Sequence, residues 1–186
     1  MTANPSAPSR RTAAGLAAMA GGLAMTVSGA LQAVRPTDTD PKVAGEEHLL
    51  LALFAAALVL LIPGLLALAR HGTPVARPGA AAVALGHVLL AFGATASNLN
   101  GEDPAWFAFA AVPANLAMLA GAITMAVSLW RAGRVPRPIA AALPVLWLCQ
   151  IVLAQLGGGL IAGVYWLVTG RLLISGTLES TRLNGP

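Results

Sequence analysis

The amino-acid sequence predicts an all-α membrane protein, a compact bundle of six transmembrane helices with both termini in the cytoplasm. Hydrophobic residues make up 57% of the 186 residues and charged residues only 10%, whereas soluble domains average about 45–50% and 25%. The apolar residues fall into six runs, most of them near the 20 or so residues that a helix needs to cross a bilayer. Almost all charges lie between these runs, and their sign differs between the two sides.

The six runs divide the chain into one transmembrane domain with a short tail at each end. Residues 1–11, rich in Ser, Pro, Ala and Thr, are predicted to be a disordered cytoplasmic tail. Residues 12–176 form the transmembrane domain, and residues 177–186 form a second cytoplasmic tail. The predicted spans are residues 13–34, 49–69, 78–98, 105–130, 138–155 and 157–175.

The first run has a second interpretation. Ser9-Arg10-Arg11-Thr12 precedes an apolar segment of small residues, a pattern that also resembles a secretory or twin-arginine signal. The run from Ala13 to Val34 is longer than the 7–15 residues usual for the apolar core of a signal. Its length favours an uncleaved first helix, with a cleaved signal as the alternative.

The charged residues predict the orientation. With the N-terminus inside, nine of the eleven basic residues lie on the cytoplasmic side, and only Arg35 and Lys42 lie outside. Six of the seven acidic residues lie outside, and only Glu179 lies inside. This distribution follows the positive-inside rule at each loop, and a model with five or seven spans would break it. It indicates a multi-pass membrane protein.

Three polar side chains within the spans form the first candidate site. His87 lies ten residues past Arg77, which is about 15 Å along a helix and roughly half the apolar thickness of a bilayer. Asn115 and Tyr165 are predicted to lie at a similar depth on two other helices. Polar groups inside a membrane are costly and mark functional sites or interhelical hydrogen bonds. A structural hydrogen-bond cluster is the simpler interpretation, and a proton relay or ligand site is the alternative.

The outer face forms the second candidate site, because two loops there are predicted to bring carboxylates together. The simplest explanation of these carboxylates is that they are exposed to water in the outer loops, where the positive-inside rule places acidic residues. Weak binding of a divalent or organic cation is the alternative. The chain has no zinc-protease motif, no paired histidines at helical spacing and no calcium loop, so we expect no metal and no cofactor. The residues of this predicted acidic cluster are Asp38, Asp40, Glu46, Glu47, Glu102 and Asp103.

Small residues are predicted to pack the helices. Gly159 and Gly163 form a GxxxG pattern, and glycines recur along the first span at 15, 21, 22 and 29. Such spacings let helix backbones approach each other closely in a membrane. They do not by themselves define a dimer face, so a homo-oligomer and a partner membrane protein both stay open. Basic residues confined to the flanks of apolar runs argue against nucleic-acid binding.

The composition and two short stretches resemble a known class of protein. The chain is rich in Ala, Gly and Leu, uses Arg almost to the exclusion of Lys, and contains the stretches Ala96–Trp106 and Leu156–Gly159. In these features it is similar to small six-span integral membrane proteins of high-GC, actinobacteria-type bacteria. The resemblance covers most of the chain and implies a six-span fold in a bacterial cytoplasmic membrane, but no activity and no catalytic residues.

The sequence therefore favours a non-enzymatic membrane protein with an accessory, sensory or scaffold role. It shows no nucleophile with a base partner and no loop that would hold a phosphate. A small transporter or channel subunit with a polar site around His87 is the alternative function. The lipid bilayer is the one partner that the composition itself implies.

Overall fold

A computed structural model describes residues 9–35 and 42–180 of the chain, with side chains as far as residue 178. The described part is helical, which confirms the predicted all-α class, and it contains no strand beyond an isolated bridge between Lys42 and Glu102. The helices are α1 (Arg10–Val34), α2 (Glu47–Ala69), α3 (Ala76–Asn100), α4 (Phe107–Ala132), α5 (Arg137–Trp147), α6 (Gly158–Ser175) and the short α7 (Thr177–Ser180).

Five of these helices, α1 to α4 and α6, are long and apolar enough to cross a membrane. The fifth predicted span differs from a continuous α-helix. After α5 the chain forms a π-helical turn over Leu148–Val152 and a 3₁₀ turn over Ala154–Leu156. The π turn is closed by the amide of Leu153, which donates to the carbonyl of Leu148 at 3.0 Å, one residue further back than in an α-helix. The apolar helical segment formed by α5 and the π turn, Arg137–Val152, is shorter than the 18 residues that each of the five long helices reaches.

The loops divide the bundle into two ends that differ in charge. We call the end that holds residues 42–46 and 101–106 the acidic end, because Glu46, Glu102 and Asp103 lie there. We call the end that holds residues 70–75 and 133–136 the arginine end. At this second end, Ser9 caps α1 by accepting a hydrogen bond from the amide of Thr12 at 3.2 Å.

The helices pack in chain order around the bundle. Each of α1 to α4 contacts the helix that follows it, and α2 also contacts α6. Helix α1 makes its most extensive contacts with α6. Side chains from α2 to α6 surround a small central cavity, and α1 contributes none of its lining. The first helix therefore packs outside the centre, against α2 and α6.

Glycines spaced seven residues apart hold α1 against α6. A Cβ added at Gly22 would lie 2.9 Å from the carbonyl oxygen of Gly163, and one added at Gly163 would lie 2.5 Å from that of Gly22. Gly15 and Gly170 oppose each other in the same way, at 2.8 Å and 2.7 Å. Towards the acidic end, a Cβ on Gly159 would lie 3.0 Å from the Cα of Gly29. The two backbones are in contact along most of the interface, as the small-residue pattern predicts.

A second glycine series holds α3 against α4. Gly79, Gly86 and Gly93 are also seven residues apart. A Cβ on Gly79 would lie 3.0 Å from the carbonyl oxygen of Gly121, and a Cβ on Gly86 would lie 2.8 Å from that of Ala114. A seven-residue repeat keeps one helix face towards its partner when the crossing angle is small and left-handed. This series places His87, the residue after Gly86, at the edge of the α3–α4 contact.

Candidate functional site

The structure places the three polar residues of the predicted midspan cluster on α3, α4 and α6, and each has different surroundings. Within the described residues, no hydrogen bond joins any two of His87, Asn115 and Tyr165. His87 lines the central cavity, whereas the other two residues do not. The arrangement is therefore three separate polar positions, and each has its own physical consequence.

His87 is buried, with only 3% of its surface exposed. The Nδ1 atom has no hydrogen-bond partner among the described residues. A buried polar atom without a partner costs about 1–3 kcal/mol, so this nitrogen marks a place where a water or a small polar group would be stabilised.

The cavity beside His87 has a volume of about 30 Å³. That is enough for about one water molecule. Its wall is mostly apolar and contains no carboxylate. Six of its lining residues besides His87 are Leu65, Val83, Met118, Trp147, Gln150 and Trp166.

Asn115 links α4 to α5. Its side-chain oxygen accepts a hydrogen bond from Nε1 of Trp147 at 3.2 Å, and its amide nitrogen donates to the carbonyl of Ala111 at 2.8 Å. Trp147 also lines the central cavity. Asn115 therefore fixes the indole ring that forms part of the cavity wall.

We expect the Asn115–Trp147 pair to show a coupling free energy of about 0.6–2 kcal/mol, the range of interhelical hydrogen bonds in membranes. The measurement is a double-mutant cycle of unfolding in detergent with Asn115→Ala, Trp147→Phe and the double variant. Thr124→Val is the matched control on α4, because that hydroxyl bonds only to the carbonyl of Ala120 in its own helix. Additive effects of the two single changes would contradict the bond.

Tyr165 links α6 to the first turn of α5. Its hydroxyl donates to the carbonyl of Ile139 at 3.0 Å. Its ring packs edge-on against the ring of Trp166, with 5.3 Å between the ring centres. Trp166 in turn lines the central cavity. The tyrosine thus contacts the wall of the site from behind and does not enter it.

At the acidic end, the loop before α2 contacts the loop between α3 and α4. The amide of Val43 donates to the carbonyl of Gly101 at 2.8 Å. One carboxylate, Glu47, is paired with Arg35 at 3.0 Å and also accepts from the amide of Ala44. Glu46, Glu102 and Asp103 are exposed.

Two members of the predicted acidic cluster, Asp38 and Asp40, lie outside the described residues. Among the residues that are described, no group of three or more His, Cys, Asp or Glu side chains is arranged to hold a metal ion. Near the same end, Nδ1 of His48 donates to Oδ1 of Asn98 at 2.6 Å, and Nδ2 of Asn98 donates to the carbonyl of His48 at 3.1 Å. These two bonds link α2 to α3 and occupy the polar atoms of Asn98.

A larger pocket of about 210 Å³ lies near the acidic end, between α1, α2 and the start of α6. Ser28, Gln32 and Gln150 supply its polar side chains. Gln150 also lines the central cavity, so its side chain borders both the pocket and the space beside His87. It belongs to the π-helical turn, and turns of this kind are frequent at functional sites.

The predicted midspan cluster did not include two residues of this site, Trp147 and Gln150. A tryptophan and an amide in one apolar run were visible signals, since both are rare deep in a membrane span.

Compared with known proteins, the chain matches no protein-family model, no curated protein and no solved structure. What supports a function for this chain is therefore its own geometry.

Proposed function

We propose that the chain is a six-span integral protein of a bacterial cytoplasmic membrane, with its arginine end in the cytoplasm. The excess of arginine at that end supports this orientation through the positive-inside rule. The α5 segment through Val152 counts as a span in addition to the five long helices, although its 16 residues would extend only about 24 Å as a helix. A locally thinner bilayer accommodates such a short span. The contacts of α1 with α2 and α6 support an uncleaved first helix.

Within that membrane, an accessory, sensory or scaffold role without chemistry of its own is the function that the geometry supports best. The observation that carries it is the small size of the cavity beside His87, which has room for about one water and is walled mainly by apolar side chains. We infer from it a closed centre. A reaction needs a reactive group next to a space that admits a substrate. The cavity is too small for that.

The second candidate function is a small transporter or channel subunit. It is favoured by the position of Gln150, which lines both the central cavity and the larger pocket near the acidic end. Movement of this one side chain would join the two spaces into a path from the acidic end to His87. A path of this kind would end at an ionisable group, as transport paths in membranes commonly do.

Thiol accessibility at His87 distinguishes the two functions. In a Cys149→Ala background, which removes the single native cysteine, we expect His87→Cys to react at least about a hundredfold more slowly than an exposed thiol with a membrane-impermeant methanethiosulfonate. Gln32→Cys, in the pocket near the acidic end, is the matched comparison. Cysteine is smaller than histidine, so the change itself widens the cavity and favours reaction. Labelling of both positions at similar rates would therefore favour a continuous path and contradict the closed centre.

The same background tests the orientation. Asp103→Cys at the acidic end is expected to label in intact cells, and Arg131→Cys at the other end only after the membrane is permeabilised. Both native side chains are exposed, so accessibility depends on the side of the membrane. The reverse pattern would overturn the proposed topology without bearing on whether the centre is closed.

A further inference from the structure

Three arginines from three different elements line one pocket at the arginine end. Arg70 caps the end of α2, Arg77 lies in the first turn of α3, and Arg134 lies in the loop between α4 and α5. The pocket has a volume of about 420 Å³, within the range of about 300–1,000 Å³ that small-molecule sites occupy. We refer to it as the arginine pocket.

The wall of the arginine pocket is held in place by hydrogen bonds. The amide of Thr73 donates to Oγ of Ser128 on α4 at 2.9 Å, and the two hydroxyl oxygens lie 2.6 Å apart. Ser128 is buried, and Thr73 lines the pocket. These bonds fix the loop between α2 and α3 against α4. The arginines therefore extend from a preorganised frame, which lowers the entropic cost of binding.

No described acidic side chain neutralises the charge of the pocket. Within the described part of the chain, the side chains of Arg70, Arg77 and Arg134 form no ion pair, and the lining of the pocket contains no acidic residue. Other arginines are engaged: Arg35 pairs with Glu47, and Arg137 lies over the ring of Trp130 at 5.4 Å. The positive-inside rule accounts for arginines at this end, but it does not require three of them to converge on one concave surface.

We propose that Arg70, Arg77 and Arg134 bind a phosphate-bearing anion in the arginine pocket. Guanidinium groups are suited to this ligand because they are permanently charged and donate two parallel hydrogen bonds to phosphate oxygens. Two sources supply the same chemistry: the headgroup of an anionic phospholipid in the adjoining leaflet, and a free phosphate compound. Basic pockets between transmembrane helices are known to hold lipid headgroups. The site is separate from His87 and independent of the function proposed above.

The test compares two charge-matched double variants in nanodiscs. Arg77→Gln with Arg134→Gln removes two arginines from the pocket, whereas Arg10→Gln with Arg171→Gln removes two exposed arginines that do not line it. One arm titrates inorganic phosphate into protein in phosphatidylcholine discs by calorimetry. The other arm measures the retention of phosphatidylglycerol by native mass spectrometry. We expect the pocket variant to lose about fivefold in affinity per arginine, or roughly 25-fold in total, and the control to change by less than about twofold.

The two arms separate the sources. Phosphate binding that is lost in the pocket variant assigns the site to a free phosphate compound, and selective loss of phosphatidylglycerol alone assigns it to a headgroup. Equal losses in both double variants, or no binding of either probe by the wild type, would overturn the proposal. If the glutamine pair fails to fold, Arg77→Lys with Arg134→Lys keeps the charge and removes the planar donor pair. That variant is expected to bind more weakly than the wild type, and unchanged affinity would count against the site.

Discussion

Gly163→Leu is expected to lower the free energy of unfolding by about 3 kcal/mol or more, at or beyond the upper end of the usual cost of overpacking. The reason is that a side chain at this position would meet backbone. An added Cβ would lie 2.5 Å from the carbonyl oxygen of Gly22 and 2.6 Å from the amide nitrogen of Thr26. Backbone atoms inside a helix cannot rotate away, so α1 and α6 would have to separate. The measurement is thermal or denaturant unfolding of the purified protein in detergent.

Ala20→Leu is the control for this change. Ala20 lies on the exposed face of α1, where a larger apolar side chain contacts lipid instead of backbone. We expect a change of less than about 0.5 kcal/mol, as for substitutions away from structural contacts. A Gly163→Leu variant as stable as the Ala20→Leu variant would show that α1 and α6 are not packed through their glycines.

The second large loss of stability is expected from adding a single methyl group at Gly158. In Gly158→Ala, the added Cβ would overlap the carbonyl oxygen of Cys149 and lie 2.7 Å from its carbonyl carbon. To remove this overlap, either the π-helical turn that carries Gln150 or the start of α6 has to shift. We expect a loss of about 2–3 kcal/mol in stability. Because Gln150 lines both cavities, we also expect faster thiol labelling of His87→Cys in this variant.

Gly133→Ala is the matched control for the methyl group. Gly133 has a left-handed backbone, with φ of 64°, and nothing lies within 4 Å of an added Cβ. Its substitution costs about 1–2 kcal/mol through backbone conformation alone and should leave the labelling of His87→Cys unchanged. Equal effects of the two substitutions on labelling would contradict the role assigned to the π-helical turn.

The helical class could be predicted because it depends on quantities that the sequence states directly. Apolar runs of about 20 residues and arginines at alternate loops determine where helices form and which ends meet. The break after Trp147 could not be predicted in the same way. A π turn depends on how the residues after α5 meet the start of α6, where Gly158 lies against the backbone of Cys149. No sequence pattern marks the contact between Gly158 and Cys149, so the π turn could not be predicted.

The candidate site could be predicted only in part, for a geometric reason. Counting residues gives the depth of a side chain in the membrane, since each adds about 1.5 Å. It does not give the rotation of the helix about its axis, which neighbouring helices set through packing. Asn115 was predicted at the depth of His87, yet its amide bonds to Trp147. For α3 the sequence does contain information on this rotation, because the spacing of Gly79, Gly86 and Gly93 marks the face that meets another helix.

The pairing of α1 with α6 has a consequence for biosynthesis. Gly15 leaves the ribosome before its partner Gly170, which lies about 155 residues further along the chain. At a translation rate of about 5–20 residues per second, roughly 10 to 30 s separate the two. During that interval the glycine face of α1 is open to lipid, to an insertion factor or to another nascent chain. Correct assembly of this protein thus depends on keeping α1 unpaired until α6 has been inserted.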